Sequence, residues 1–137
     1  MEILQLHHIS LPTTDLERSR RFYKDVLGLE EIKRPDFPFP GAWFRLGDRE
    51  LHLIAGERVD PQGGTGVEPS QLHFAIRVPS YRLALEHLRG LGYDEERAEG
   101  DPKRLVARPQ AVTGYPQLYL VDPDLHLIEI NAAHLDG

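Results

Sequence analysis

His8, His52, His73 and Glu129 are the four side chains of this 137-residue chain whose types and spacing could act together in one chemistry. Imidazole nitrogens and a carboxylate suit a borderline divalent ion such as Zn, Ni, Co, Mn or Fe(II), and four such ligands leave one or two positions for water or substrate. Glu129 makes the question pressing. It stands between Ile128 and Ile130 in the stretch VDPDLHLIEIN, Val121 to Asn131, which reads as a strand entered from an Asp-Pro-Asp turn. An ionised carboxylate in such surroundings is costly unless something positive meets it. The remedies are an arginine or lysine partner, a raised pKa, or a metal ion.

The elements that must position these residues follow from periodicity. Residues 3–11 read as a strand ending at Pro12. Thr14 to Leu27 reads as a helix, with capping-box spacing in Thr14-Asp-Leu-Glu17, an apolar stripe of Leu16, Phe22, Tyr23, Val26 and Leu27, and Gly28 as a left-handed stop. A short strand over Glu30 to Arg34, a proline-rich loop PDFPFP, and a hairpin of 42–46 and 50–54 around Gly47-Asp48 follow. Gly56 to Ser70 has no periodicity, and 58–70 is taken as a linker. The order then restarts. Residues 71–78 alternate, with Leu72, Phe74, Ile76 and Val78 on one face. Ser80 can cap a helix carrying Tyr81, Leu85, Leu88 and Leu91, with Gly92 as its stop, and strands are expected near 94–98, 104–112, 116–121 and 125–131.

The chain therefore reads as a single domain made of an internal duplication: one βαβββ module over 1–57, the linker, and a second module over 71–133. An offset of 65 sets His8 on His73, matching HISLP to HFAIR, and LHLI at 51–54 lies opposite IEIN at 128–131, so His52 falls on Glu129. Each half thus supplies a ligand-type residue at two equivalent places. Strand alternation turns all four away from the face packed under the helices, while His7 falls on that packed face. The expected class is α+β, two tandem modules forming a curved mixed sheet around a metal cavity.

Composition narrows the function. The absence of cysteine removes disulfides, thiolate ligands and a thiol nucleophile, and fits a reducing compartment. The opening MEILQLHHISL has neither the basic region nor the apolar run of a signal peptide, and no apolar run approaches a membrane span of about 20 residues. A cytoplasmic location is expected. A net charge of −6 argues against general nucleic-acid binding. The cluster Arg18, Arg20 and Arg21 reads as a solvated helix face, and His87, His126 and His134 read as exposed or structural.

The segments HHISLPTTDLERSRRFYKDVLGL, LHFAIRV and YLVDPDLHLIEIN resemble the vicinal oxygen chelate superfamily, the glyoxalase, bleomycin-resistance and extradiol dioxygenase group built from paired βαβββ modules. The resemblance implies that His8, His73 and Glu129 correspond to the three recurring metal ligands, and that His52 sits where the glyoxalase I branch has a fourth. It also implies a shared chemistry, in which a divalent ion chelates two adjacent oxygens and stabilises an enolate-like intermediate, with Glu129 as the candidate proton carrier. A metal-dependent isomerase or lyase is the leading expectation. The alternatives are an Fe(II) extradiol dioxygenase, a thiol transferase of the fosfomycin-resistance kind, and a metal-free binding protein of the bleomycin-resistance kind. Small members of the family imply a homodimer, with His8 and His52 from one subunit meeting His73 and Glu129 from the other.

Two departures from the family pattern stand out. Leu125 replaces the usual glycine of the turn, where a positive φ would strain it, and histidine at 52 replaces the carboxylate or amide of a strict glyoxalase I. Around the site, a turn at Gly47-Asp48-Arg49 would set Arg45 beside His52, with Trp43 one pair further along. Gln117 and Tyr119 are expected to face the cavity, with Arg77 and Arg108 at its rim. Arg45, Trp43 and Tyr119 are the candidate substrate-binding residues, and an arginine there suits a small anionic substrate.

Overall fold

The computed structural model describes residues 1–56 and 66–136; positions 58–65 of the expected linker lie outside the described residues. The chain divides into two compact units, Met1–Gln62 and Gly63–Gly137. The first holds strands β1 (His8–Pro12), β2 (Glu31–Ile32), β3 (Gly41–Leu46) and β4 (Arg49–Ile54), with helix α1 (Leu16–Arg21) between β1 and β2. Its sheet runs β1-β4-β3-β2, with β1 parallel to β4 and the other pairs antiparallel.

Strand β1 starts at His8 rather than at residue 3, and β4 explains why. The hairpin turn closes at Leu46 opposite Arg49, so β4 has no residues before Arg49 to pair with a longer β1. His8 already lies opposite Glu50, and Ile3, Leu4 and Leu6 are exposed. The helix also starts one residue later than the capping-box reading. Asp15, not Thr14, is the N-cap, and its carboxylate accepts from the Arg18 amide. After Arg21 the helix widens into a π-helical turn over Phe22–Val26, and both Phe22 and Tyr23 are buried in it. Tyr23 packs near Phe44, ring centroids 6.0 Å apart, in a core shared with Leu51 and Leu53. Gly28 ends the segment at φ 70.

The second unit repeats the plan with β5 (His73–Val78), α2 (Tyr81–Gly90), β6 (Val106–Arg108), β7 (Gln117–Val121) and β8 (Leu127–Ala132). Its sheet order, β5-β8-β7-β6 with β5 parallel to β8, reproduces that of the first. Ser80 caps α2 by accepting from the Leu83 amide, and Gly92 follows it at φ 92. Expected strand 94–98 is reduced to a single bridge from Asp94 to Arg104. The Asp94 carboxylate accepts from the Glu96 amide there, a local turn that competes with strand pairing. Strand 104–112 shortens to β6, and Pro109, which has no N–H to give, follows directly.

The registers of the two sheets agree residue by residue. Ser10 lies opposite His52 on β4, which faces Trp43 on β3. Ala75 lies opposite Glu129 on β8, which faces Tyr119 on β7. His8 and His73 each start an edge strand two residues before these positions. Among the described residues no helix is long and apolar enough to cross a membrane.

Candidate metal centre

In the first unit the register sets Trp43, not Arg45, directly across from His52. The two rings stack face to face, centroids 3.9 Å apart and planes 3° apart. On its other side His52 stacks with His8 at 4.2 Å and 20°, and His8 Nδ1 lies 2.9 Å from His7 Nδ1. His7 is exposed rather than packed under the helix. Glu50, two residues along the same face of β4, holds His52 Nε2 at 3.2 Å. Such a carboxylate fixes the tautomer and leaves Nδ1 as an acceptor. Burial holds His52 below its ordinary 6.5, and the neighbouring His8 pushes the same way; the Glu50 hydrogen bond opposes without cancelling them.

That shift has an optical readout, because Trp43 is the chain's single tryptophan and a protonated imidazole against an indole quenches its emission. Trp43 fluorescence is expected to drop on acidification with a midpoint below 6.5. The drop should vanish in His52→Asn. A midpoint at or above 6.5 would contradict the assignment.

In the second unit Glu129 is buried and met by three donors. Its Oε1 accepts from Gln117 Nε2 at 3.0 Å and from the Tyr119 hydroxyl at 2.7 Å, and its Oε2 accepts from Asn131 Nδ2 at 2.6 Å. Asn131 is held in turn, because its Oδ1 accepts from Arg77 Nε at 2.8 Å. Burial, with the Glu129 hydrogen bond and charge adding to it, pushes the Tyr119 phenol up to about 12, so it remains a donor. Among the described residues no lysine or arginine is within ion-pair distance of Glu129.

His73 completes this half. Its Nδ1 lies 2.8 Å from the Gln71 carbonyl oxygen, which can only accept, so Nδ1 carries the proton. In the neutral ring Nε2 is then an acceptor, and it faces Glu129 Oε1 at 3.8 Å. Two acceptors therefore confront each other with no donor between them, an arrangement that calls for a proton or a metal cation. A histidine that donates one nitrogen to a backbone carbonyl and presents the other is the usual form of a metal-ligating imidazole. The donor set fits a divalent ion on these grounds. Among the described residues, no group of three or more His, Asp or Glu side chains is close enough by itself to hold one; the structure forms the pairs His8–His52 and His73–Glu129.

The sequence profile of the Glyoxalase/Bleomycin resistance protein/Dioxygenase superfamily matches residues 5–130. The chain belongs to that superfamily. It is 28% identical over 132 residues to Glyoxylase I 4 of Arabidopsis thaliana, covering 95% of this chain and 71% of that protein. It is likewise 28% identical over 134 residues to the fosfomycin resistance protein FosX of Listeria monocytogenes, covering 96% and 91%. A variant of that FosX solved with Mn(II) and 1S,2S-dihydroxypropylphosphonic acid has a TM-score of 0.70 at 21% identity, covering 98% of this chain and 95% of that one. A glyoxalase family protein of Bacillus anthracis has a TM-score of 0.75 at 20% identity, covering 96% and 97%.

In this superfamily member the remaining candidates are placed as follows. Arg45 lies two cross-strand pairs from His52, opposite Glu50, and its mostly exposed guanidinium is ion-paired with Glu30 at 3.7 Å. Arg108 lies over the Tyr119 ring at 5.6 Å and Arg77 over the Tyr115 ring at 5.0 Å. Leu125 has φ 66, the left-handed conformation that the missing glycine foreshadowed, at a cost of about 1–2 kcal/mol. The Asp122 carboxylate, accepting from the amides of Asp124 and His126, holds the turn together despite it. Glu50 and Asn131 were not singled out from the sequence. Their signal was alternation, since each lies two residues from a candidate ligand on the same strand face.

Proposed function

We propose that this superfamily member is a metal-dependent isomerase or lyase for a small anionic substrate that presents two adjacent oxygens, with His8, His52, His73 and Glu129 as the metal ligands. The observation that carries the reading is the pair of facing acceptors, His73 Nε2 and Glu129 Oε1, 3.8 Å apart. A divalent ion bound there would supply Lewis-acid polarisation to the substrate oxygens. The protein's own contribution is orientation. Gln117, Tyr119 and Asn131 hold the carboxylate, Gln71 sets the His73 tautomer, and Glu50 sets that of His52. Among Glu129 and its three hydrogen-bond donors, with Tyr119 kept protonated, the carboxylate is the group able to take up a proton, at Oε1 or Oε2. The Mn(II) and phosphonate bound by the FosX variant support a divalent ion and an anionic substrate. In a homodimer, His8 and His52 of one subunit would act with His73 and Glu129 of the other.

The test is the metal content of tag-free protein, then co-expression of His8→Ala and Glu129→Ala chains. A stoichiometric divalent ion is expected in the parent and none in either variant alone, with the mixture regaining about half of one site's metal if sites are shared. Protein that neither retains nor takes up any divalent ion overturns the reading. Loss of glutathione hemithioacetal, opening of an epoxide phosphonate and oxygen uptake with catechols would then separate the activities of the relatives.

A further inference from the structure

The loop between β2 and β3, PDFPFP, builds an aromatic platform that metal ligation leaves unused. Pro35, Pro38 and Pro40 restrict its backbone, and the Phe37 amide donates back to the Pro35 carbonyl at 2.8 Å. The Phe37 and Phe39 rings stack with centroids 5.2 Å apart and planes 21° apart. The Arg34 guanidinium lies over both, 4.8 Å from one centroid and 5.0 Å from the other, and pins the loop through Nη2 to the Phe39 carbonyl at 2.9 Å. Phe37 then meets Trp43 at 6.1 Å, and Trp43 stacks on His52. A continuous run of rings thus leads from the loop to a candidate ligand. At its outer end Phe37 and Phe39 remain 41% and 40% exposed.

We propose that this platform recognises a flat, conjugated substituent of the substrate, so that the favoured substrates are aryl-bearing anions rather than their small aliphatic counterparts. The inference rests on reading His52 as a ligand, because the ring run ends there. Rings already fixed in place lose little freedom on stacking with a partner, and offset aromatic pairs gain more than their buried area alone gives. The guanidinium draws on the electron density of both rings, which favours an electron-rich or anionic partner. Two phenyl rings fall far short of the roughly 800 Å² per partner that a stable protein interface uses, so the patch is sized for a small molecule.

Mandelate and lactate provide the test, since both carry adjacent hydroxyl and carboxylate oxygens and differ in phenyl against methyl. Ligand-observed NMR titrations on zinc-loaded protein are expected to show mandelate binding roughly tenfold tighter than lactate, the scale of one good aromatic pair. In Phe37→Leu/Phe39→Leu, which keeps the apolar bulk but loses the flat faces, the ratio should fall toward one with lactate affinity unchanged. A ratio near one in the parent, or a ratio that survives the double substitution, overturns the proposal. So does a double variant whose only change is its sedimentation, which would make the rings a contact between copies. Zinc titration of the same samples separates the two readings. Zinc bound with a ratio of one sinks the platform alone, whereas no zinc bound sinks the metal reading and with it the basis for the platform.

Discussion

Glu129→Gln is expected to cut divalent-metal affinity by more than about 100-fold, beyond the 10–100-fold typical of an outer partner of a ligand. The substitution keeps the shape and removes the charge. In the parent, metal at about 1,000 times its Kd should raise stability by about 4 kcal/mol, and in the variant, at the same metal concentration, a site about 100-fold weaker leaves a rise of no more than about 1.4 kcal/mol. The metal-free variant has its own signature. The new amide nitrogen must face either the Asn131 amide or the pair of donors on Oε1, Gln117 and Tyr119. Flipping Asn131 would relieve the first clash only by turning its nitrogen toward Arg77 Nε. One buried donor is left unmatched, a loss of about 1–3 kcal/mol. Thermal melts with and without metal separate the two roles. A residue with only a structural role would show the metal-free loss and keep the metal-dependent rise, and that outcome would sink Glu129 as a ligand.

The strand placement of the four candidate residues was legible in the sequence because it depends on local rules. Strand alternation placed His8 opposite Ile9 and Leu11, and His73 opposite Phe74 and Ile76; repetition of the order then tied His52 to Glu129. Those rules survive in the structure as two sheets of identical order, with Ser10–His52 and Ala75–Glu129 in equivalent registers. What was not legible depends on partners distant in sequence. The start of β1 is set by where β4 begins. The choice between Arg45 and Trp43 as the neighbour of His52 turns on whether Leu46 closes the hairpin opposite Arg49 or opposite Leu51, two residues later, and a change of register moves every cross-strand pair. The aromatic platform reads in sequence only as a proline-rich loop. Nothing local says that Arg34 folds over Phe37 and Phe39, because a glycine seven residues further on makes the room.

That glycine, Gly41, carries the second large expectation. Its φ lies outside the left-handed region, so an alanine would fit the backbone; the obstacle is space. A Cβ there would stand 2.5 Å from the Leu53 carbonyl oxygen, 2.8 Å from Arg34 Nε and 2.9 Å from Arg34 Cζ. Arg34 could swing away, since its buried Nε has no hydrogen-bond partner, but it would then leave the two phenyl rings. The Leu53 oxygen cannot yield so easily. Leu53 is fully buried in β4, between Leu11 of β1 and Ala42 of β3. Gly41→Ala must therefore peel the start of β3 from Ile54 and loosen the hydrogen bond from the Ala55 amide to the Pro40 carbonyl. Overpacking of this kind costs about 1–3 kcal/mol, a fall in Tm of roughly 3–10 °C for a chain of this size. If Gly41 were merely a loop residue, alanine would instead stabilise the protein by about 0.4–1 kcal/mol through the unfolded chain. The two readings thus differ in sign, and a thermal melt decides between them. Because Trp43 and His52 lie further along the ladder, zinc binding should survive Gly41→Ala while the preference for mandelate over lactate falls. A variant with raised Tm and an unchanged preference would show that Gly41 does not support the platform.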